Sequence, residues 1–269
     1  MTEATGCAQS ALVETLRAAG CVFAEEEAAI LLDAARDRGH LAEMTARRCA
    51  GEPLEHVVGA VRFGAVDLSV GPGVFIPRQR SLSLADVAVE AVRVRSGEQP
   101  VVVEAYCGVA PIAASVAAAV RQCRLHVVDV DATALEYARR NLPTDAVIHR
   151  GDGLSALPRH LLGTIDVIAA VPPYVPDGAA GLLPHETDHE PTRALLAGAD
   201  GLDHARRLVA EAPDWLADDG ALLMELNVTQ AEQLLAPTSG GIWCDAHSVV
   251  GDDAQTAVVL LTRRSRVSG

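Results

Sequence analysis

From Val101 onward the sequence alternates short apolar runs with stretches of helical periodicity, and no other feature restricts the fold as much. "VVVEA" is followed by a helix from Pro111, "LHVVDV" by a helix over "ATALEYARRN", and "AVIHR" and "IDVIAAV" by loops. A helix ending near Trp215, the strand "ALLMEL", a helix over Thr229 to Leu235 and two strands around Trp243 and Val258 complete the series. Runs that are apolar on both faces belong inside a sheet covered on each side, and successive β-α units set their strands parallel. The expected architecture is α/β: a Rossmann-like, mainly parallel sheet closed by a strand pair.

Upstream, Leu12, Leu16 and Ala19, then Ala28, Leu31, Leu32 and Ala35, recur at helical spacing, which predicts a small N-terminal helical domain over residues 1–56. "VVGAVRFGAVDLSVGPGVFIPR" changes period. Its alternating apolar residues, broken at Gly64 and at Gly71-Pro72-Gly73, predict a β-hairpin linker over 57–80, leaving 81–269 for the sheet domain.

A chain of 269 residues with a formal net charge of −14 argues against a nucleic-acid backbone or an anionic membrane as main partner, since either calls for a basic surface. A small-molecule or protein substrate is expected instead. Six scattered cysteines without a C-x-x-C pair signal neither a zinc site nor a disulfide framework, and no metal is expected. The N-terminal segment lacks a secretory pattern and no run is long enough to span a bilayer, so the expectation is a soluble, cytoplasmic protein.

Candidate site residues gather at the predicted carboxyl ends of strands, where open α/β sheets bind ligands. "VVVEAYCGVAP" ends a strand in Glu104, turns through Gly108 and opens a helix at Pro111, a position where a missing N–H costs little. Asp129 stands at the next strand end, 21 residues beyond Gly108, close to the spacing of about 20 at which an acid meets a ribose hydroxyl in dinucleotide folds. Asp152 and Gly153 follow the third strand. After the fourth, Pro172 and Pro173 force the chain out of the sheet and present Tyr174 at the same rim, with Val171 just before them.

These residues together resemble the HemK/PrmC family of class I S-adenosylmethionine-dependent methyltransferases, which methylate the side-chain amide nitrogen of a glutamine in peptide release factors. The match is collinear over most of the chain: the hairpin and its Pro77-Arg78, "VVDVDATALEYARRN", "EPTRALLAGADGLDHARRLV" and "LLMELNVTQ". It implies a seven-stranded sheet with one antiparallel strand and S-adenosyl-L-methionine as cofactor. It places Glu104, Tyr106, Gly108, Ala110, Asp129, Val130, Asp152 and Gly153 at the cofactor, Val171, Pro172, Pro173 and Tyr174 at the reacting centre, and Pro77, Arg78, Glu190 and Pro191 toward the substrate.

Three motifs depart from the family pattern. The glycine-rich first motif keeps only Gly108, with Tyr106 and Ala110 at the other glycine positions; the N-P-P-Y motif reads V-P-P-Y; and Pro77-Arg78 continues as Gln79-Arg80-Ser81-Leu82, where relatives usually have threonine then glutamate. In the family, the asparagine side-chain oxygen and the next proline's carbonyl accept the two hydrogens of the substrate amide, and Val171 offers no such oxygen. The bulk added at 106 and 110 is compatible with an excluded cofactor, a reshaped pocket or a shifted loop. The leading expectation is a methyltransferase acting on a small-metabolite amine, hydroxyl or carbon, with His185, Glu186, His189 and Glu190 as candidate bases. Retained glutamine methylation, and a binding, regulatory or non-methylating role for the same fold, are the alternatives.

Overall fold

The computed structural model describes residues 2–95, 99–182, 185–238 and 241–265. Helices α1 (Thr2–Ala18), α2 (Ala24–Ala34), α3 (Arg38–Cys49) and the short α4 (Leu54–Val58) open the chain. They enclose a core of their own that includes Leu12, Leu16, Ala28, Leu31 and Met44. Helix α4 is too short to show a period in sequence; it runs from Pro53 to Gly59, whose left-handed φ of 80° ends it.

Strands β1 (Ala60–Phe63) and β2 (Val66–Ser69) form the expected antiparallel hairpin. Its Val61, Phe63 and Leu68 are buried against the sheet's layer of helices, and not against the N-terminal helical core.

The remainder runs α5 (Leu82–Arg93), β3 (Val101–Ala105), α6 (Pro111–Ala119), β4 (Arg124–Asp129), α7 (Ala132–Asn141), β5 (Val147–Arg150), β6 (Ile165–Ala170), α8 (Asp203–Trp215), β7 (Leu216–Asn227), α9 (Val228–Leu235), β8 (Trp243–Val250) and β9 (Thr256–Arg263). The strands form one seven-stranded sheet in the order β5-β4-β3-β6-β7-β9-β8. Only β9 runs against the others, pairing antiparallel with both β7 and β8. Every residue of β3 is buried, which is why it reads as an unbroken apolar run carrying one acid. Strand β7 is longer than the expected "ALLMEL", beginning directly after α8 at Leu216, where the Arg263–Asp218 ion pair at 2.8 Å fastens its early part to β9.

Two apolar layers sandwich the sheet, one containing Leu84, Val102, Ile112 and Leu223, the other Val103, Ile168, Leu208 and Met224. The chain lays β3 down first, builds outward through β4 and β5, and then crosses back to place β6 on the other side of β3. The reversal opens a crevice at the carboxyl ends of β3, β4 and β6.

His126 of β4 and His149 of β5 stack with ring centroids 5.3 Å apart and planes 11° from parallel, and Nδ1 of the first lies 3.0 Å from Nε2 of the second. One ring donates and the other accepts. Burial holds His126 well below its ordinary value, at about 4, with His149, Arg124 and His160 adding repulsion. Burial also lowers His149. The unfolded chain therefore binds protons that the folded pair refuses, and this contribution to stability, present above the unfolded value near 6.5, is lost as pH falls toward 4. Urea midpoints followed from pH 7 to pH 4 should fall less steeply in His126→Phe than in the wild type.

Candidate active site

The turn between β3 and α6 is bent through three residues in the left-handed region: Tyr106 at φ 54°, Gly108 at 53° and Ala110 at 64°. Glycine adopts this backbone freely, whereas a residue with a Cβ is strained by about 1–2 kcal/mol. The two non-glycine residues therefore occupy a glycine-type turn without relaxing it. A Cβ built on Gly108 would meet nothing within 4 Å, so the backbone there faces open space.

Two acids hold the turn. Glu104, at the end of β3, accepts from the N–H groups of Ile112 (3.2 Å) and Ala113 (2.7 Å), satisfying two donors of the first turn of α6 that have no partner within the helix. Burial pushes its carboxyl up to about 8 against the pull of those donors. Asp129, at the end of β4, accepts from Gly108 N–H at 2.8 Å through Oδ2 and from Asp131 N–H at 2.8 Å through Oδ1. Burial raises its carboxyl above the ordinary aspartate value, while the two N–H groups oppose the rise.

Tyr106 does not close over Gly108. Its ring leans toward α8, where its hydroxyl lies 3.4 Å from Nδ1 of His204 and its centroid 5.2 Å from the His204 ring. Burial pushes the phenol up to about 12. The ring stands at the junction of two adjoining cavities. The larger, about 470 Å³, is lined by Glu104, Tyr106, Gly108, Asp129, Val130, Pro77, Arg78, Val171, Pro172, Pro173, Tyr174 and Pro191 among others. The smaller, about 200 Å³, is lined by Tyr106, Asp129, Val130, Asp152, Gly153 and His204 among others. The larger falls within the size range of small-molecule sites, about 300–1,000 Å³.

The sequence-derived residues thus converge, with four differences in what they do. Glu104 lines the cavity but has both oxygens engaged by α6. Ala110, fully buried, belongs to the apolar layer behind the turn and not to the cavity wall. Asp152 is paired with Arg207 of α8 and touches only the smaller cavity. Glu190 also differs from a candidate base: its Oε1 accepts from Ile76 N–H at 3.0 Å and its Oε2 pairs with Arg78 at 2.6 Å, so it fastens the linker to the loop after Tyr174. His189 is exposed, and the side chains of His185 and Glu186 lie outside the described residues.

Four further residues shape the candidate site and were not among the sequence-derived site residues. Gln230 donates to the Tyr174 carbonyl at 2.8 Å and to the Asp200 carbonyl at 2.9 Å, so a side chain of α9 pins the Pro-Pro-Tyr turn. Gly201, at φ 75°, passes so close to that turn that a Cβ would lie 2.2 Å from the Tyr174 oxygen. Glu225 of β7 is buried beneath Tyr174, and Arg80 beside it lines the larger cavity. Glu225 is visible in sequence as a lone acid within an apolar strand, like Glu104, and Arg80 falls in the divergent Gln79–Leu82 segment; Gln230 and Gly201 show no local pattern.

No family model matches the chain. It is 38% identical over 194 residues to the release factor glutamine methyltransferase of Streptomyces coelicolor, covering 71% of this chain and 69% of that protein. The chain belongs to the HemK/PrmC family of S-adenosylmethionine-dependent methyltransferases. The chain is also 33% identical over 219 residues to a 4-amino-L-phenylalanine/4-methylamino-L-phenylalanine methyltransferase of Streptomyces pristinaespiralis, with 79% of this chain and 75% of that one covered. A methyltransferase structure from Pyrococcus furiosus superposes with a TM-score of 0.52 at 17% identity, over 83% of this chain and 99% of that one, and so shares the fold.

The site fits the HemK/PrmC cofactor. Gly108 leaves its cradle open, Asp129 stands at the rim with lone pairs beyond those its two N–H partners use, and Tyr106 is turned aside. The strain at Ala110 yields a direct check: Ala110→Gly should raise the unfolding free energy by roughly 0.5–1 kcal/mol in urea melts, because its backbone is one that alanine disfavours.

Proposed function

We propose that this chain transfers the methyl group of S-adenosylmethionine to a nucleophile on a small molecule, and not to the amide of release-factor glutamine. Val171 carries the reading. It lines the cavity immediately before the buried Pro172 and Pro173, at the position where the resemblance implies the asparagine that orients the amide. A glutamine amide bound there would keep one N–H unmatched, at a cost of about 1–3 kcal/mol, and amide nitrogen is too poor a nucleophile to react without that alignment.

The bound cofactor supplies an electrophilic methyl group on a sulfonium. The protein's part is binding and orientation. Asp129 accepts from the ribose hydroxyls, Gly108 lets the ligand approach the backbone, and Val130, Asp152 and Gly153 wall the second cavity. The Pro172 carbonyl remains as the one acceptor of the former pair, beside the apolar Val171 and the Tyr174 ring. An amine needs no asparagine to make it nucleophilic, and its surplus proton leaves to solvent after attack. A relative named for a small amino-acid substrate supports the view that this scaffold accommodates such acceptors.

Calorimetry should show binding of S-adenosylhomocysteine that Asp129→Ala weakens by about 1–3 kcal/mol, since the variant loses both the ribose acceptor and the anchor of Gly108. Unchanged affinity in a folded variant would place the cofactor elsewhere.

Mass spectrometry of purified release factor incubated with the wild type and S-adenosylmethionine should show little or no methylated glutamine. Val171→Asn should restore only a trace, because Tyr106, Ala110 and the Gln79–Leu82 segment also depart from the family and residues acting as a unit are not additive. Efficient methylation by the wild type would return the chain to its relatives' activity.

A further inference from the structure

Three arginines line the larger cavity, Arg78, Arg80 and Arg193, on a chain whose formal charge is −14. Two are engaged by neighbouring carboxylates: Arg78 pairs with Glu190 at 2.6 Å and Arg193 with Asp131 at 2.6 Å. The acids in the same wall are engaged as well. Glu104 holds the α6 amides, Asp129 holds Gly108 and Asp131, and Asp131 also accepts from Thr133 N–H at 2.9 Å.

Arg80 differs. It sits on the 3-10 turn Gln79–Ser81 just before α5, on the same cavity wall as Phe75, Val171 and Tyr174. The acid paired with it is Glu225, whose Oε1 lies 3.6 Å from Arg80 Nε, longer than a hydrogen bond; the Tyr174 hydroxyl is a further polar neighbour, and Asp253 also feels the Arg80 charge. The Arg80 side chain keeps 42% of its surface open, against 2% for Glu225. Glu225 is buried with Ser81 and Arg80 as its polar neighbours, and burial pushes its carboxyl up against their pull, which weakens it as a counter-ion. Glu225 therefore steadies the arginine from behind without saturating it. A guanidinium carries five N–H donors in a planar fork that matches a carboxylate.

We propose that Arg80 anchors the acceptor by a carboxylate, so that the substrate is a small anionic molecule carrying its nucleophile on an apolar or aromatic body. The proposal rests on the small-molecule reading above. With the anion fixed at Arg80, the body of the molecule would lie along Phe75, Val171 and Tyr174, and the nucleophile would reach toward the Pro172 carbonyl. The apolar Val171 suits a ring, as it does not suit an amide.

The test uses the intact protein saturated with S-adenosylhomocysteine and two ligands that differ only in charge: 4-amino-L-phenylalanine and its carboxamide. Calorimetry should show the carboxylate binding at least about tenfold more tightly, the scale of one charge-assisted hydrogen-bonded pair. Arg80→Gln should abolish that preference and Arg80→Lys should keep part of it, each with circular dichroism to show that the chain is folded. If Arg80→Gln does not fold, the Arg80→Lys measurement stands in its place, with an unchanged preference counting against the proposal. Equal binding of the two ligands, no binding of either, or a preference that survives in folded Arg80→Gln overturns the proposal. Failure of the preceding reading is seen separately, before the ligands are added, as no S-adenosylhomocysteine binding or as efficient methylation of release-factor glutamine.

Discussion

The left-handed turn after β3 is the constraint on which the rest of the site depends. It aims backbone, and not side chain, into the crevice, and it does so although two of its three left-handed positions carry a Cβ. Strain of about 1–2 kcal/mol at each would favour a relaxed loop if nothing opposed it. Glu104 and Asp129 oppose it, each with two backbone N–H groups, and Cys107 N–H adds a bond to the Val128 carbonyl at 3.1 Å. The turn is thereby fastened both to the helix that follows it and to the neighbouring strand. The left-handed path is kept here by those bonds although two of its positions are not glycine.

The facing wall is built by a different principle. Two prolines fix the direction in which the chain leaves β6, but the turn is held by residues far along the sequence: Gln230 on the Tyr174 carbonyl, and Gly201 close enough that any side chain there would collide with it. Gln230 at the same time completes a capping box with Asn227, so one side chain starts α9 and pins the turn. Opposite, Glu190 ties the loop to the linker through Arg78 and Ile76 N–H. The N-terminal helices meet that linker through His56, whose Nε2 lies 3.1 Å from the Val74 carbonyl.

The mainly parallel sheet, though not its strand order, was legible because parallel strands covered on both faces announce themselves as apolar runs, and because Asp129 and Glu104 stand at strand ends where an acid has no apolar reason to be. The rim residues were legible for the same reason. What each does there was not. Nothing in "HRGDG" shows that Arg207, 55 positions later, takes up Asp152, and nothing in "DHEPT" shows that Glu190 is spent on holding Arg78. A strand position can be inferred from a local period, whereas a partner is chosen by the three-dimensional path of loops whose length carries no period. Tyr106 illustrates the limit most clearly: its bulk was evident in the sequence, and only the structure shows that the ring turns toward His204 and leaves Gly108 open.

The departures from the family pattern fall on the two walls with different consequences. Tyr106 lines the turn proposed to face the methyl donor and Ala110 packs behind it, and both hold a left-handed backbone at the cost of strain. Val171 and Arg80 line the larger cavity on the side proposed for the acceptor: Val171 offers an apolar surface where the family pattern has an asparagine, and a partly exposed cation lines the same space. A wall that loses a hydrogen-bond acceptor and carries an open positive charge is poorly matched to a neutral amide and well matched to an anion with an apolar body. Under the proposed function, a strained turn at the donor side and an altered surface at the acceptor side are what a transferase that keeps its donor and takes a different substrate would need.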